Sequence, residues 1–367
     1  MRRLAQAAFT SAVLASLALG LASAARGEEP NREKVFVGYL NGSPRNLNYK
    51  LYTHICHAFL TAGPDGKLNP NRSVPSRALT AEAHAAGVKV LISLGGWGWD
   101  DQFRAIVADR EAEARYVEAV VRMVDENDYD GIDLDWEYPD RDDEVPGFER
   151  LTRTFRERLD AIGRAKGRRM FVTMAASSNY GTFSRLDTAF LVETMDWINV
   201  MTYDYAGDWS SRAGHNSPLF ASSKDGPNGG STERSMLGFL EKRGVPADRL
   251  AVGLALYGRG FHVREPYTST KGLARKSFEV SYKDTAKRLA EGWKRSLDEE
   301  TKVPWLTSPD DSMVVGYDDA ESIRLKTEWA LANGFRGVFF WQVDGDRMPD
   351  GSNPLQAAAK AACNAAR

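Results

Sequence analysis

Every second residue from Asp133 to Glu137 carries a carboxyl group: Asp133, Asp135 and Glu137. On an extended strand successive side chains point to opposite faces, and positions i and i+2 lie about 6.6–7 Å apart. The three acids therefore share one face, while Ile132, Leu134 and Trp136 share the other. An exposed strand would interleave such a row with Lys or Arg, because neighbouring like charges repel. None is interleaved here. Some of these groups must then share or hold protons, and the least compensated becomes a weak acid able to donate near neutral pH. A solvated acidic face is the plain alternative. Gly131 before the run and Trp136, Tyr138 and Pro139 around its end argue against it. The stretch reads as a catalytic strand.

A strand of this kind needs neighbours to hold it. From residue 35 the chain alternates short apolar runs with amphipathic stretches, and eight runs have strand character: 35–40, 54–60, 88–94, 131–136, 170–175, 197–203, 250–256 and 337–341. Helical periodicity falls between several of them, at 80–86, 111–127, 146–165 and 322–333. Eight nearly continuous apolar strands separated by helices predict an α/β fold, a TIM (β/α)8 barrel with its parallel sheet covered outside. An open doubly wound sheet is the other option, but no Gly-x-Gly-x-x-Gly follows the first strand. The span 261–315 is too long for an ordinary βα connection. Its β-type pieces at 277–281 and 313–317 and helix-like piece at 283–293 predict a small α+β insertion between strands 7 and 8, walling one side of a cleft.

The remaining candidates for chemistry fall at or just past the carboxyl ends of these strands, the catalytic face of a barrel. Strand three ends in Ser93-Leu-Gly-Gly-Trp97, strand six in Met201-Thr-Tyr203-Asp204, strand seven in Tyr257-Gly-Arg259 and strand eight in Trp341-Gln342. Many aromatics at strand ends are simply core, yet Trp97, Tyr203, Tyr257 and Trp341 share one predicted face with the acids. Flat aromatic rings suit the C–H faces of sugars; a phosphate site would need a Gly-rich loop and basic groups instead. Most glycosidases put two carboxyl groups on opposite sides of the bond they cut. Asp135 and Glu137 approach from the same side, so neither attacks the far face easily while the other protonates the leaving oxygen. A nucleophile inside the substrate removes the difficulty, and the 2-acetamido oxygen of an N-acetylglucosamine unit is the natural one.

The run Asp130-Gly-Ile-Asp133-Leu-Asp135-Trp-Glu137 resembles the D-G-x-D-x-D-x-E signature of glycoside hydrolase family 18, the chitinases and their relatives. Ser93-Leu-Gly-Gly is similar to the family's S-x-G-G and Met201-Thr-Tyr203-Asp204 to its M-x-Y-D, with Tyr257-Gly-Arg259 and Trp341 in the expected order. Val303-Pro-Trp-Leu followed by Gly316-Tyr-Asp-Asp resembles the α+β insertion of one subgroup. The resemblance implies a retaining hydrolase of β-1,4 bonds in chitin or its oligosaccharides. It makes Glu137 the proton donor and has Asp135 orient the acetamido group and stabilise an oxazolinium intermediate. Asp133 shares a proton with Asp135, and Tyr203 bonds the acetamido oxygen. Trp341 forms the floor under the cleaved sugar and Trp97 stacks on the leaving side; Tyr39, Tyr138, Met201, Asp204, Tyr257 and Arg259 line the cleft. The chain departs from the family pattern at Gln342, Leu297 and Ala206-Gly207, where many relatives carry Glu, Trp and His-Gly. Alternatives on the same fold are a hydrolase of N-glycan cores or peptidoglycan and a non-catalytic chitin-binding lectin, the latter opposed by the presence of Glu137. A metal enzyme with the three acids as ligands is a further alternative.

Arg2-Arg3, an apolar run from Ala7 to Leu21 and Ala22-Ser-Ala24 form the three parts of a secretory signal peptide. Cleavage after about Ala24 is expected, leaving residues 25–367 as one exported catalytic barrel, extracellular or periplasmic. Losing the two arginines moves the formal net charge only from −2 to −4. With no basic tract, neither nucleic acid nor a membrane surface is favoured as a partner, and a monomer is expected. Cys56 and Cys363 are the only cysteines, and the sequence leaves open whether they pair. The five histidines form no metal-binding pattern, so no metal or cofactor is expected.

Overall fold

The computed structural model describes residues 33–42, 47–226 and 229–365. The expected signal peptide lies outside the described residues. Eight parallel strands form the centre: β1 (Val35–Asn41), β2 (His54–Ala62), β3 (Lys89–Gly95), β4 (Gly131–Asp135), β5 (Phe171–Ser177), β6 (Trp197–Met201), β7 (Leu250–Ala255) and β8 (Gly337–Trp341). Each pairs with its neighbour in sequence, and β1 pairs with both β2 and β8, so the sheet closes. All eight strands fall where the apolar runs predict them.

The period-2 pattern separates two cores. Inward-pointing Val35, Val37, Tyr39, Cys56, Leu91, Trp197, Ala251, Ala255 and Phe339 fill the barrel. The residues that alternate with inward positions, such as Phe36, Ile55 and Phe340, and Ile132, Leu134 and Trp136 around the acids of β4, face outward into the larger layer shared with the helices. Those helices begin and end on local chemistry. Asp109 caps Arg110–Glu126 by accepting from the backbone of Glu111 and Ala112, and Tyr116, Val117, Val120 and Val124 form its buried stripe. Val145–Lys166 carries Pro146 in its first turn and stops at Gly167, whose φ of 64° suits glycine.

Between β7 and β8 lies a five-stranded antiparallel sheet built from Tyr257–Phe261, Ser277–Ser281, Lys294–Asp298, Val303–Thr307 and Val314–Gly316, with the helix Tyr282–Ala290. Its first strand begins at Tyr257. Tyr257-Gly-Arg259 therefore belongs to this sheet, whereas the sequence pattern attaches it to the end of barrel strand seven. The chain leaves the barrel at Leu256, whose N–H donates to the Trp341 carbonyl while its own carbonyl accepts from Tyr282. Cys56 lies buried inside the barrel and Cys363 sits on the last helix, and the two do not form a disulfide. Among the described residues no helix is long and apolar enough to cross a membrane.

Candidate active site

β4 carries Asp133 and Asp135 into the barrel, and Glu137 follows two positions later at its carboxyl end. The intervening Trp136 points outward, stacks on Phe103 with ring centroids 5.2 Å apart and donates its indole N–H to Asp100 at 2.6 Å. This anchor fixes the parity that the sequence predicts for the three acids.

Asp133 is fully buried and accepts from four strands: Tyr39 Oη at 2.8 Å, Ser93 Oγ at 2.8 Å, Thr173 Oγ1 at 2.6 Å and Asn199 Nδ2 at 3.4 Å. Burial pushes its carboxyl above the ordinary value, and the four donors pull against burial. Asp135 has no such compensation. Its Oδ1 is buried without a hydrogen-bond partner. Burial first, then the charges of Glu137 and Asp133, raise its pKa well above the ordinary range. Glu137 is also raised, by burial and by the charge of Asp204, while the Tyr138 hydroxyl donating to its Oε2 at 2.9 Å works the other way. A row of acids with raised pKa values is a row of proton holders, and Glu137 is the member nearest the cleft mouth.

The cleft is a cavity of about 170 Å³ lined by Tyr39, Phe59, Trp97, Asp135, Glu137, Ala175, Met201, Tyr203, Asp204 and Trp341. Trp341 forms one wall, stacked on Phe59 with centroids 5.7 Å apart and edge-on to Tyr39. Trp97 stands on the rim with 79% of its surface exposed, its indole available to a flat apolar face. Tyr203 is buried, and burial keeps its hydroxyl protonated and able to donate. The peptide bonds Ala58–Phe59, Glu137–Tyr138 and Trp341–Gln342 are cis.

Asp204 adopts a left-handed backbone, with φ at 56°, which costs a non-glycine residue about 1–3 kcal/mol unless its surroundings impose it. Its side chain is held on both oxygens, by Tyr257 Oη at 2.8 Å and by the Arg259 guanidinium. Tyr138, Tyr257 and Arg259 thus stand behind the cavity wall, one bonded to Glu137 and two to Asp204. Through these last two residues the inserted sheet bears on the cleft.

Sequence reasoning did not single out Phe59, Ala175, Thr173 or Asn199. The signal was parity: Thr173 and Asn199 are polar residues at inward positions of otherwise apolar strands, and Phe59 lies near the carboxyl end of β2 as Trp97 does beyond β3. Among the described residues, no group of three or more His, Cys, Asp or Glu side chains could hold a metal ion.

Fold and cleft together define a (β/α)8 barrel with a carboxyl-lined cleft at the carboxyl ends of its strands. Residues 32–346 match the model of the glycosyl hydrolases family 18, and the chain belongs to that family. It is 30% identical over 296 residues to chitinase A1 of Niallia circulans, covering 74% of this chain and 42% of that one. It is 26% identical over 349 residues to chitinase 1 of Aphanocladium album, covering 86% and 80% respectively. The chain thus spans less than half the length of the first relative and most of the second. Among solved structures, a family 18 N-acetylglucosaminidase from Paenibacillus barengoltzii is 27% identical, with a TM-score of 0.79 over 90% of this chain and 100% of that one. The Ostrinia furnacalis Group II chitinase catalytic domain 2, at 24% identity and a TM-score of 0.80, covers 91% of this chain and 97% of its own and shares the fold.

Proposed function

We propose that this protein is an exported chitinase-like hydrolase that cleaves β-1,4 bonds between N-acetylglucosamine units with retention, using the substrate's own acetamido oxygen as nucleophile. The observation that carries this reading is the state of the carboxyl groups in the cleft. Asp204 has both oxygens occupied by Tyr257 and Arg259 and is a poor nucleophile. Asp135 at the end of β4 and Glu137 two residues on approach from one side, and among the described residues lining the cleft Asp204 is the only other carboxylate. Glu137 donates the proton to the glycosidic oxygen, and its pKa, raised above the ordinary carboxyl value by burial, favours the protonated form that a general acid needs. Asp135, with an unpaired oxygen, takes the acetamido N–H and steadies the positive charge of the oxazolinium ring; Asp133 beneath it exchanges the proton. Tyr203 donates to the acetamido oxygen, and Trp341 and Trp97 stack on the sugars either side of the cut. The names of the relatives, chitinases and an N-acetylglucosaminidase, support N-acetylglucosamine as the unit recognised. The charged start, apolar run and small-residue site in residues 1–24 support export.

Two measurements on a defined N-acetylglucosamine hexamer test this. Glu137→Gln should lower kcat by about 100-fold or more, as for a lost general acid, while oligosaccharide binding survives. Near wild-type turnover would remove the proton-donor role. A hexamer carrying a free amine at the cleaved sugar should resist hydrolysis, and rapid cleavage of it would rule out acetamido attack.

A further inference from the structure

Lys326 is a fully buried lysine more than a hundred residues from any acid of the cleft, and no step of the proposed reaction uses it. It lies in the helix Ala320–Ala332 that precedes β8. Its ammonium group donates to both carboxylate oxygens of buried Asp318 at 2.7 Å, to Ser217 Oγ at 2.9 Å and to the Ser217 carbonyl. Such a pair adds little to stability over a well-packed apolar one, because desolvation offsets most of the attraction. Its direction of action is informative instead. Ser217 Oγ, accepting from Lys326, donates at 2.7 Å to the Thr202 carbonyl, half of the peptide that leads into Tyr203. One residue earlier, the Asn216 carbonyl accepts from Tyr205 N–H at 3.1 Å. Residues 216–217 therefore grip the backbone on both sides of Tyr203 and Asp204, the second of which sits in a left-handed conformation. The Thr202 side chain adds a bond to the Gly253 carbonyl of β7 at 2.7 Å.

We propose that the buried Lys326–Asp318 pair is a positioning device. Through Ser217 it locks the 202–205 turn so that Tyr203 presents its side chain to the cleft. The inference rests on the role given to Tyr203 above. It places a determinant of turnover outside the residues that line the cleft, acting through Tyr203, where misplacement by about 1 Å can lower rate by up to about 100-fold.

The test uses the whole enzyme and the same hexamer. Lys326→Met combined with Asp318→Leu removes both charges together, leaving no unpaired buried ion. Ser217→Ala removes the hydroxyl that joins Lys326 to the Thr202 carbonyl while leaving Lys326 bonded to Asp318 and to the residue 217 carbonyl, and it guards against a paired variant that does not fold. Ser217→Ala should lower kcat by about 3- to 10-fold, and the folded paired variant by about 10-fold or more, with KM changed by less than about 3-fold. In a Tyr203→Phe background both losses should shrink to within about 2-fold, because groups that act through one another are not additive. Wild-type kcat in Ser217→Ala, or an equal loss in both backgrounds, overturns the device while leaving the Tyr203 role intact. Full turnover in Tyr203→Phe alone overturns both.

Discussion

Burying Asp135 beside Asp133 and Glu137 with one oxygen unpaired works against the fold, a cost that fits the role proposed for it in the reaction. Its raised pKa means that the folded protein holds this proton more tightly than the unfolded chain does. The associated stability is fully present below the unfolded value of 3.8 and is lost as pH rises through the raised folded value. At pH 7 Asp135→Asn should therefore unfold about 2–4 °C higher than the wild type while losing activity, the exchange of stability for function seen at strained sites. That advantage should shrink on titration toward pH 4. An unchanged or lower melting temperature at pH 7 in a folded variant would mean that the carboxyl is compensated by a partner. The same residue marks how far single-residue chemistry is legible in a sequence. The alternation of acids gives their shared face, but the four donors that distinguish Asp133 from Asp135 come from β1, β3, β5 and β6, and nothing local pairs them with it.

At the scale of elements, β4 owes its position to its first residue. Gly131 has φ of 149°, and a Cβ there would lie 2.0 Å from the Phe171 carbonyl oxygen of β5. Gly337 repeats the device at the start of β8 against Val35 of β1. Gly131→Ala must shift the β4–β5 pairing and with it Asp133, whose Thr173 bond crosses that pairing. A loss of about 3 kcal/mol or more in denaturant unfolding is expected, together with lower kcat. A variant as stable as the wild type would show that the strands re-register without harm. Apolar runs bounded by turns made all eight barrel strands readable, since burial on both faces leaves a continuous signal. The inserted sheet was harder to read. Lys294–Asp298 is mostly polar and exposed, and Val303–Thr307 contains Pro304. At Leu256 the change of sheet is decided by pairing with Trp341 and Tyr282, residues distant in sequence.

For the molecule as a whole, barrel and insertion share side chains that neither could bury alone. Ala206 and Ala213 of the long connection after β6 pack with Phe261, Val263, Tyr267, Trp305 and Val314 of the inserted region in one apolar cluster. The His215 ring lies 4.0 Å from that of Trp305, and Asn216 donates to the Tyr257 carbonyl at 3.1 Å. Asp204 in turn depends on Tyr257 and Arg259, so the insertion holds a wall of the cleft without lining it. A sheet added only as an ornament would melt by itself, ahead of the barrel. A sheet bound through a shared core unfolds with it, because separation exposes the cluster at about 25 cal/mol per Å² of apolar surface. Guanidinium unfolding followed by tryptophan fluorescence and by far-ultraviolet circular dichroism should accordingly give coincident curves with a single midpoint, and activity should be lost at that midpoint. Two resolved transitions, with turnover persisting after the first, would show that the insertion is an independent module and that Arg259 does not hold Asp204 in place.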